Sequence, residues 1–177
     1  MDTFVEQIVK KKKEGKEIAI IAAVVVVFLL LLTAVIFFLF TFISLLVLAG
    51  AGYGAWWLIT NQNIEFEYSV TNGDIDIDQI IARRKRKRIV SVSGTKIESL
   101  QPYDAASFGS RPFDRKVMAA PSLQEEGLWC FTYHSKKNGN TIVVFQPEKR
   151  VLDALIAGLP RLVQLDVNRK LSSSSAQ

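Results

Sequence analysis

The chain of 177 residues has one cysteine, Cys130, one histidine, His134, and no Asn-x-Ser/Thr acceptor. A lone thiol excludes an internal disulfide, and together with the missing acceptor it fits a domain in the cytoplasm. No Walker-type or dinucleotide glycine loop and no Gly-x-Ser-x-Gly elbow occurs, so nucleotide chemistry and α/β-hydrolase chemistry lack their usual supports. His134 stands next to a turn at a strand end, where a surface role explains it. Cys130 alternates in a strand beside Trp129 and Phe131, as a buried structural thiol does. No catalytic residue, metal ligand set or cofactor is expected, and the chain reads as non-enzymatic.

The longest absence is of charge. From Ile18 to Ile59 there is no charged side chain, with Thr33, Thr41 and Ser44 as the polar interruptions. A cleaved signal peptide has an apolar region of roughly 7–15 residues, far shorter than this run. As one straight helix the run would be about 60 Å long, about twice the hydrocarbon thickness of a bilayer. Two spans are therefore expected, near Ile18–Phe38 and Phe42–Ile59, with a tight turn at Leu39–Thr41. No Gly, Pro, Asn or Asp marks that reversal.

Cations are retained in the cytoplasm. Lys10–Lys13 and Lys16 precede the first span and a basic block follows the second, so an even number of crossings is expected, with both termini cytoplasmic and the chain multi-pass in the cell membrane. Gly50 and Gly54 lie four apart on one face of the second span, which lets a partner backbone approach closely. That partner is the first span or, in a homodimer, a second copy. Tyr53, Trp56 and Trp57 are expected to anchor the span at the interface. Ahead of the membrane, "TFVEQIV" has capping-box spacing from Thr3 to Glu6 and one apolar face of Phe4, Val5, Ile8 and Val9, which predicts a short amphipathic helix on the membrane surface.

After Asn63 the period changes to two. In "IEFEYSV", Ile64, Phe66, Tyr68 and Val70 share one face of a half-buried strand. Asn72-Gly73 and Asn138-Gly139 are hairpin turns, since both residue types tolerate positive φ. Further strands are expected in "IDID", "RIVSVSG", "TKIESL", Asp114–Met118, "LWCFTYHS" and "TIVVFQ", with a long excursion over Gln101–Gly127. "PEKRVLDALIAGLP" then gives a helix with Val151, Leu152, Leu155, Ile156 and Leu159 in one apolar stripe. The order of about six or seven antiparallel strands and a final helix suggests a pleckstrin-homology-like (PH-like) sandwich or barrel. The fold class is thus a membrane α-helical hairpin plus a mainly β (α+β) domain with one C-terminal helix. The expected segments are 1–17 (amphipathic and basic), 18–60 (hairpin), 63–165 (PH-like, folding alone) and 166–177 (disordered).

Asp74, Asp76 and Asp78 have the spacing that opens an EF-hand loop, but Gln79 and Lys85 occupy its Gly and Glu positions, and alternation with Ile75 and Ile77 explains them as the solvent face of a strand. Arg83, Arg84, Lys85, Arg86, Lys87 and Arg88 are consecutive cations in a stretch that otherwise alternates. An ordinary half-buried strand would bury alternate cations at intolerable cost, so the block is a solvated loop, a projecting hairpin end or an edge segment. Its partner is either solvent or an anionic leaflet, where each cation contributes about 1 kcal/mol. Nucleic acid is disfavoured, because no exposed aromatics or recognition helix adjoin the block.

Two apolar spans leading into "NIEFEYSVTNGDIDIDQIIARRKRKRIVSV" resemble an uncharacterised family of small membrane proteins of Gram-positive bacteria. "EYSVTNGDIDID" followed by basic residues is also similar to the opening hairpin of bacterial PH-like domains that sit behind membrane helices. The resemblance implies a PH-like fold and transfers no catalytic residue; eukaryotic relatives of that fold often bind phosphoinositides. The expected function is a membrane-anchored binding or scaffold module that contacts anionic lipid or a protein partner. A structural subunit acting through its hairpin and a tethered nucleic-acid binder are the alternatives.

Overall fold

Alternation after Asn63 folds as read. In a computed structural model, which describes residues 3–38, 42–104, 108 and 112–174, β2 (Ile64–Thr71) and β3 (Asp74–Ile81) are joined at Asn72-Gly73, whose φ values are 51° and 86°. β4 (Lys85–Val92) follows through a second tight turn. That turn has φ 53° at Ala82 and 55° at Arg83, closed by the Arg84 N–H on the Ile81 carbonyl at 3.0 Å. It is a type I′ geometry held by residues that rarely adopt it.

The first sheet has a member that was not expected from its sequence. Phe4–Lys10 is a strand, β1, and not an amphipathic helix. It pairs antiparallel with β2 from Phe4↔Thr71 to Lys10↔Glu65 and gives the order β1-β2-β3-β4. Val5 and Val9 pair with Val70 and Phe66, on the face of the buried Gln7, while Phe4 and Ile8 point outward and are exposed. Gln7 fixes the strand from its side chain: its amide donates to the Gln146 carbonyl at 3.0 Å and accepts from the Glu148 N–H at 2.7 Å. The folded domain therefore begins before the apolar helices, and a boundary at residue 63 cuts through its first sheet.

The second sheet, in the order β5-β7-β8-β6, holds β5 (Ile97–Pro102), β6 (Arg115–Ala119), β7 (Trp129–Ser135) and β8 (Gly139–Phe145). β7 is antiparallel to β5 and β8, but β6 runs parallel to β8, so the domain is not wholly antiparallel. In β8, Thr141–Phe145 is buried without alternation, as expected for a strand covered on both faces. On one face Phe145 meets Tyr68 of the first sheet edge-on, with ring centroids 5.7 Å apart. The fully buried Tyr68 donates its hydroxyl to the Ala119 carbonyl and accepts from the Gln146 N–H. On the other face Cys130, Ile142 and Val144 pack with Phe108, Ala120 and Leu128. The described part of the excursion thus supplies a second small core.

The apolar stripe is found in α3 (Lys149–Ala157), with Val151, Leu152 and Leu155 buried and Leu159 buried just beyond it. A further helix, α4 (Arg161–Ser174), replaces most of the expected disordered tail; residues 175–177 lie outside the described residues. It is seated by the fully buried Val167. Gln164 on its first turn donates to the Leu159 carbonyl at 2.9 Å and to the Ala157 carbonyl at 3.4 Å, the second a group that the end of α3 leaves open.

The uncharged run forms α1 (Gly15–Phe38) and α2 (Phe42–Asn61). Among the described residues one segment, Gly15–Ile36, is by itself long and apolar enough to span a bilayer. The turn expected at Leu39–Thr41 lies outside the described residues. The chain divides into two compact units. One is Met1–Lys11, Glu65–Ile80 and Arg86–Gln177, and the other is Lys12–Ile64 and Ile81–Lys85.

Candidate functional site

The basic block is a hairpin end that runs into an edge strand, and all six cations are exposed. The fold divides them by task. Arg86 and Arg88 belong to the β-rich unit, where carboxylates from neighbouring strands hold them. The Arg86 guanidinium pairs with Glu67 and, at 2.7 Å, with Asp78. Arg88 reaches Asp78 at 2.9 Å and Asp76 at 3.1 Å. Glu67 and Asp78 are buried beneath guanidiniums that stay about half exposed, at 53% and 55%. The third aspartate of the EF-hand-like run, Asp74, accepts from the Ser93 hydroxyl at 2.7 Å and the Gly94 N–H at 3.1 Å. Each aspartate is therefore occupied with a neighbouring turn or strand.

The network sets the acid response of the domain. The Arg88 hydrogen bond holds Asp78 below the usual aspartate range, helped by Arg86 and opposed by burial. Burial pushes Glu67 up against the attraction of Arg86, and the nearby Glu6 adds to the rise. A depressed carboxylate contributes stability that is present above its unfolded pKa of about 3.9 and lost as pH falls through the folded value. A raised one has the opposite sign: its contribution is greatest below about 4.3 and declines as pH rises through the folded value. Asp78→Asn should lower stability at pH 7 by about 1 kcal/mol, the low end for a charged hydrogen-bond partner because both arginines remain solvated. The gap between Asp78→Asn and the parent should close as the pH falls below about 4. Denaturant titrations of the full chain in detergent at pH 7 and pH 3 measure it; an equal gap at both values would reject the assignment.

Arg83, Arg84 and Lys85 form the other half of the block. Ile81–Lys85 cluster with the helices in the second unit. The tip is tied there by the Ala82 N–H, which donates to the Asn63 carbonyl at 2.7 Å. The Arg84 guanidinium lies 5.1 Å from the centre of the Trp56 ring and donates to Asn61 Oδ1 at 3.2 Å. Trp57, Asn61, Ile81, Arg84 and Lys85 line a cleft of about 500 Å³. Among the described residues no carboxylate pairs with Arg84 or Lys85.

The other residues singled out by sequence fall on α2. Tyr53, Trp56 and Trp57 are exposed near its end, Tyr53 packing at 5.8 Å on Trp56. The close approach to α1 is made by Gly52, where a Cβ would stand 3.7 Å from the Phe28 ring, whereas Gly50 and Gly54 face open space among the described residues. Sequence reading missed Asn61 and the pairing of Asp76 and Asp78 with Arg86 and Arg88. Only the second left a signal, in acidic and basic alternation on the two arms of one hairpin. His134 is satisfied by Asn140 Oδ1 at 2.8 Å.

Comparison with curated proteins and with solved structures yields no match. A family model does match, and it covers residues 1–165, taking in the N-terminal strand and both apolar helices as well as the two sheets. The strand on the far side of the helices is thus part of the family's own unit, and the chain belongs to the family described as a bacterial PH-like domain (DUF6106).

Proposed function

We propose that the chain is a membrane-anchored, non-catalytic binding module, held at the inner face of the cell membrane by α1 and α2 crossing as a hairpin. The observation that supports this best is the pairing of Lys10 with Glu65. These residues flank the helical segment, and paired strands cannot lie on opposite sides of a hydrocarbon layer about 30 Å thick. If α1 crosses, the return crossing falls to α2, whose 20 residues extend about 30 Å at 1.5 Å per residue. Lys11–Lys13 and Lys16 at the start of the segment favour the cytoplasm for the domain.

A PH-like domain in that position is a binding or scaffold element, and its ligand class is read from the exposed cations at the hairpin end, which suit an anionic leaflet. The anchor also favours such contact by raising local concentration without a new interaction. A second reading, in which the helices join a larger membrane complex, is supported by an apolar groove along them lined by residues that include Ala23, Val27, Ala51, Gly54 and Leu58. The topology is tested by fusions after Gln177. A reporter that folds only in the cytoplasm should fluoresce there, and an export-dependent phosphatase should be inactive. An active phosphatase would overturn the hairpin and the inner-face placement together.

A further inference from the structure

The geometry at the end of α2 points to more than diffuse attraction between a basic surface and lipid. We propose that Arg84, Lys85, Asn61 and Trp57 form a stoichiometric site for the phosphate of an anionic phospholipid headgroup. The inference rests on the inner-face anchoring just described and adds a defined ligand contact to it.

Four observations carry it. First, the block is partitioned: Arg86 and Arg88 spend their charge on Glu67, Asp76 and Asp78, whereas no carboxylate among the described residues pairs with Arg84 or Lys85. Second, Arg84 is preorganised. Its plane is held by Trp56 and by the hydrogen bond to Asn61, so little side-chain freedom remains to be lost when its other N–H donors take up an oxyanion. Third, the turn that presents it adopts left-handed φ at Ala82 and Arg83. Backbone held in that region by non-glycine residues clusters at ligand clamps, and here the Ala82 bond to Asn63 keeps the tip against the end of α2. Fourth, the cleft joins these cations to the apolar walls of Trp57 and Ile81. A phosphate with a glycerol backbone presents both characters at once, and a tryptophan at a helix end sits at headgroup depth. A guanidinium fork with an adjacent ammonium is a recurrent phosphate-binding pair.

The test uses the full chain, purified in mild detergent and stripped of lipid, titrated with phosphatidylglycerol or phosphatidylcholine and weighed intact by native mass spectrometry. One phosphatidylglycerol per chain should be retained, with phosphatidylcholine bound at least tenfold more weakly. Arg84→Gln combined with Lys85→Gln should lower retention of phosphatidylglycerol at least tenfold, Arg84→Lys should give an intermediate loss, and Lys87→Gln should leave it unchanged. Melting curves of the variants, expected to match the parent, separate loss of the site from loss of the fold. Equal loss in the Lys87 variant, or no loss in the double variant, would overturn the site in favour of diffuse attraction. Inorganic phosphate at millimolar concentration should not displace the lipid; displacement would assign the cleft to free phosphate and overturn the lipid assignment. Any of these failures alongside cytoplasmic reporters leaves the anchoring intact, whereas an active phosphatase fusion removes both.

Discussion

A chain carrying Gly158→Val should lose its cooperative unfolding transition, and Gly158→Ala should lose about 3 kcal/mol or more, the upper range for forcing extra atoms into a packed interior. Gly158 ends α3 at φ −92° and ψ −6°, a conformation open to any residue, so the requirement is for space. Gly73 in the first hairpin turn, Gly94 after β4 and Gly158 meet backbone to backbone. A Cβ on Gly94 would stand 2.8 Å from the Gly158 carbonyl oxygen, and one on Gly158 would stand 2.9 Å from the Gly73 carbonyl carbon. Neither obstacle is a side chain that can turn away. The first sheet and the end of α3 would have to separate to admit a methyl group. Denaturant titration of the full chain in detergent, followed by near-ultraviolet circular dichroism, checks this; an alanine variant within 0.5 kcal/mol of the parent, the usual range for a surface change, would reject it.

The second large effect concerns β1. Residues 63–177 expressed alone should fail to give a stable domain. Residues 1–10 joined through an Asn-Gly turn to residues 65–177 should fold without the helices. Lys10 and Glu65 are already partners, and a two-residue type I′ turn closes such a pair. Without β1 the Gln146 carbonyl and the Glu148 N–H lose Gln7, each hydrogen bond contributing about 0.5–1.5 kcal/mol net, and the strand ladder from Phe4↔Thr71 to Lys10↔Glu65 is lost with them. The inward face of β2 also loses Val5 and Val9. The two proteins should differ by at least about 3 kcal/mol in denaturant titration. Equal stability would restore residue 63 as the start of the domain.

Much of the fold is legible locally. Alternation placed β2 and β3, Asn72-Gly73 and Asn138-Gly139 placed two hairpins, and the stripe from Val151 to Leu159 placed α3, because each signal is contained within a few residues of its own element. β1 is different. Phe4, Val5, Ile8 and Val9 satisfy the spacing of a helical face, yet Val5, Gln7 and Val9 also alternate against Phe4, Glu6 and Ile8. A partner strand far along the chain decides between these patterns, and no local propensity reports it. α4 was hidden by its serine-rich end and becomes stable through Val167. The turn at Ala82-Arg83 lacks the glycine or asparagine that advertises a type I′ geometry.

The candidate site was legible only as a quantity of charge. Its location at Arg83–Arg88 follows from sequence. The division into neutralised arginines and an Arg84 held by Trp56 and Asn61 depends on which strand and which helix each side chain meets.

Strand β1 also has a consequence in time. It is made before α1 and α2, and its hydrogen-bonding partner β2 does not exist until both helices have followed. Until then Val5 and Val9 have no sheet to join, and the clamp from Gln7 to Gln146 and Glu148 waits for nearly the whole domain. Closure of the first sheet therefore reports that the helical segment is complete and that its two ends have come together. A chain whose helices end apart keeps an open edge at β2, and unpaired strand edges mark a molecule for aggregation and proteolysis.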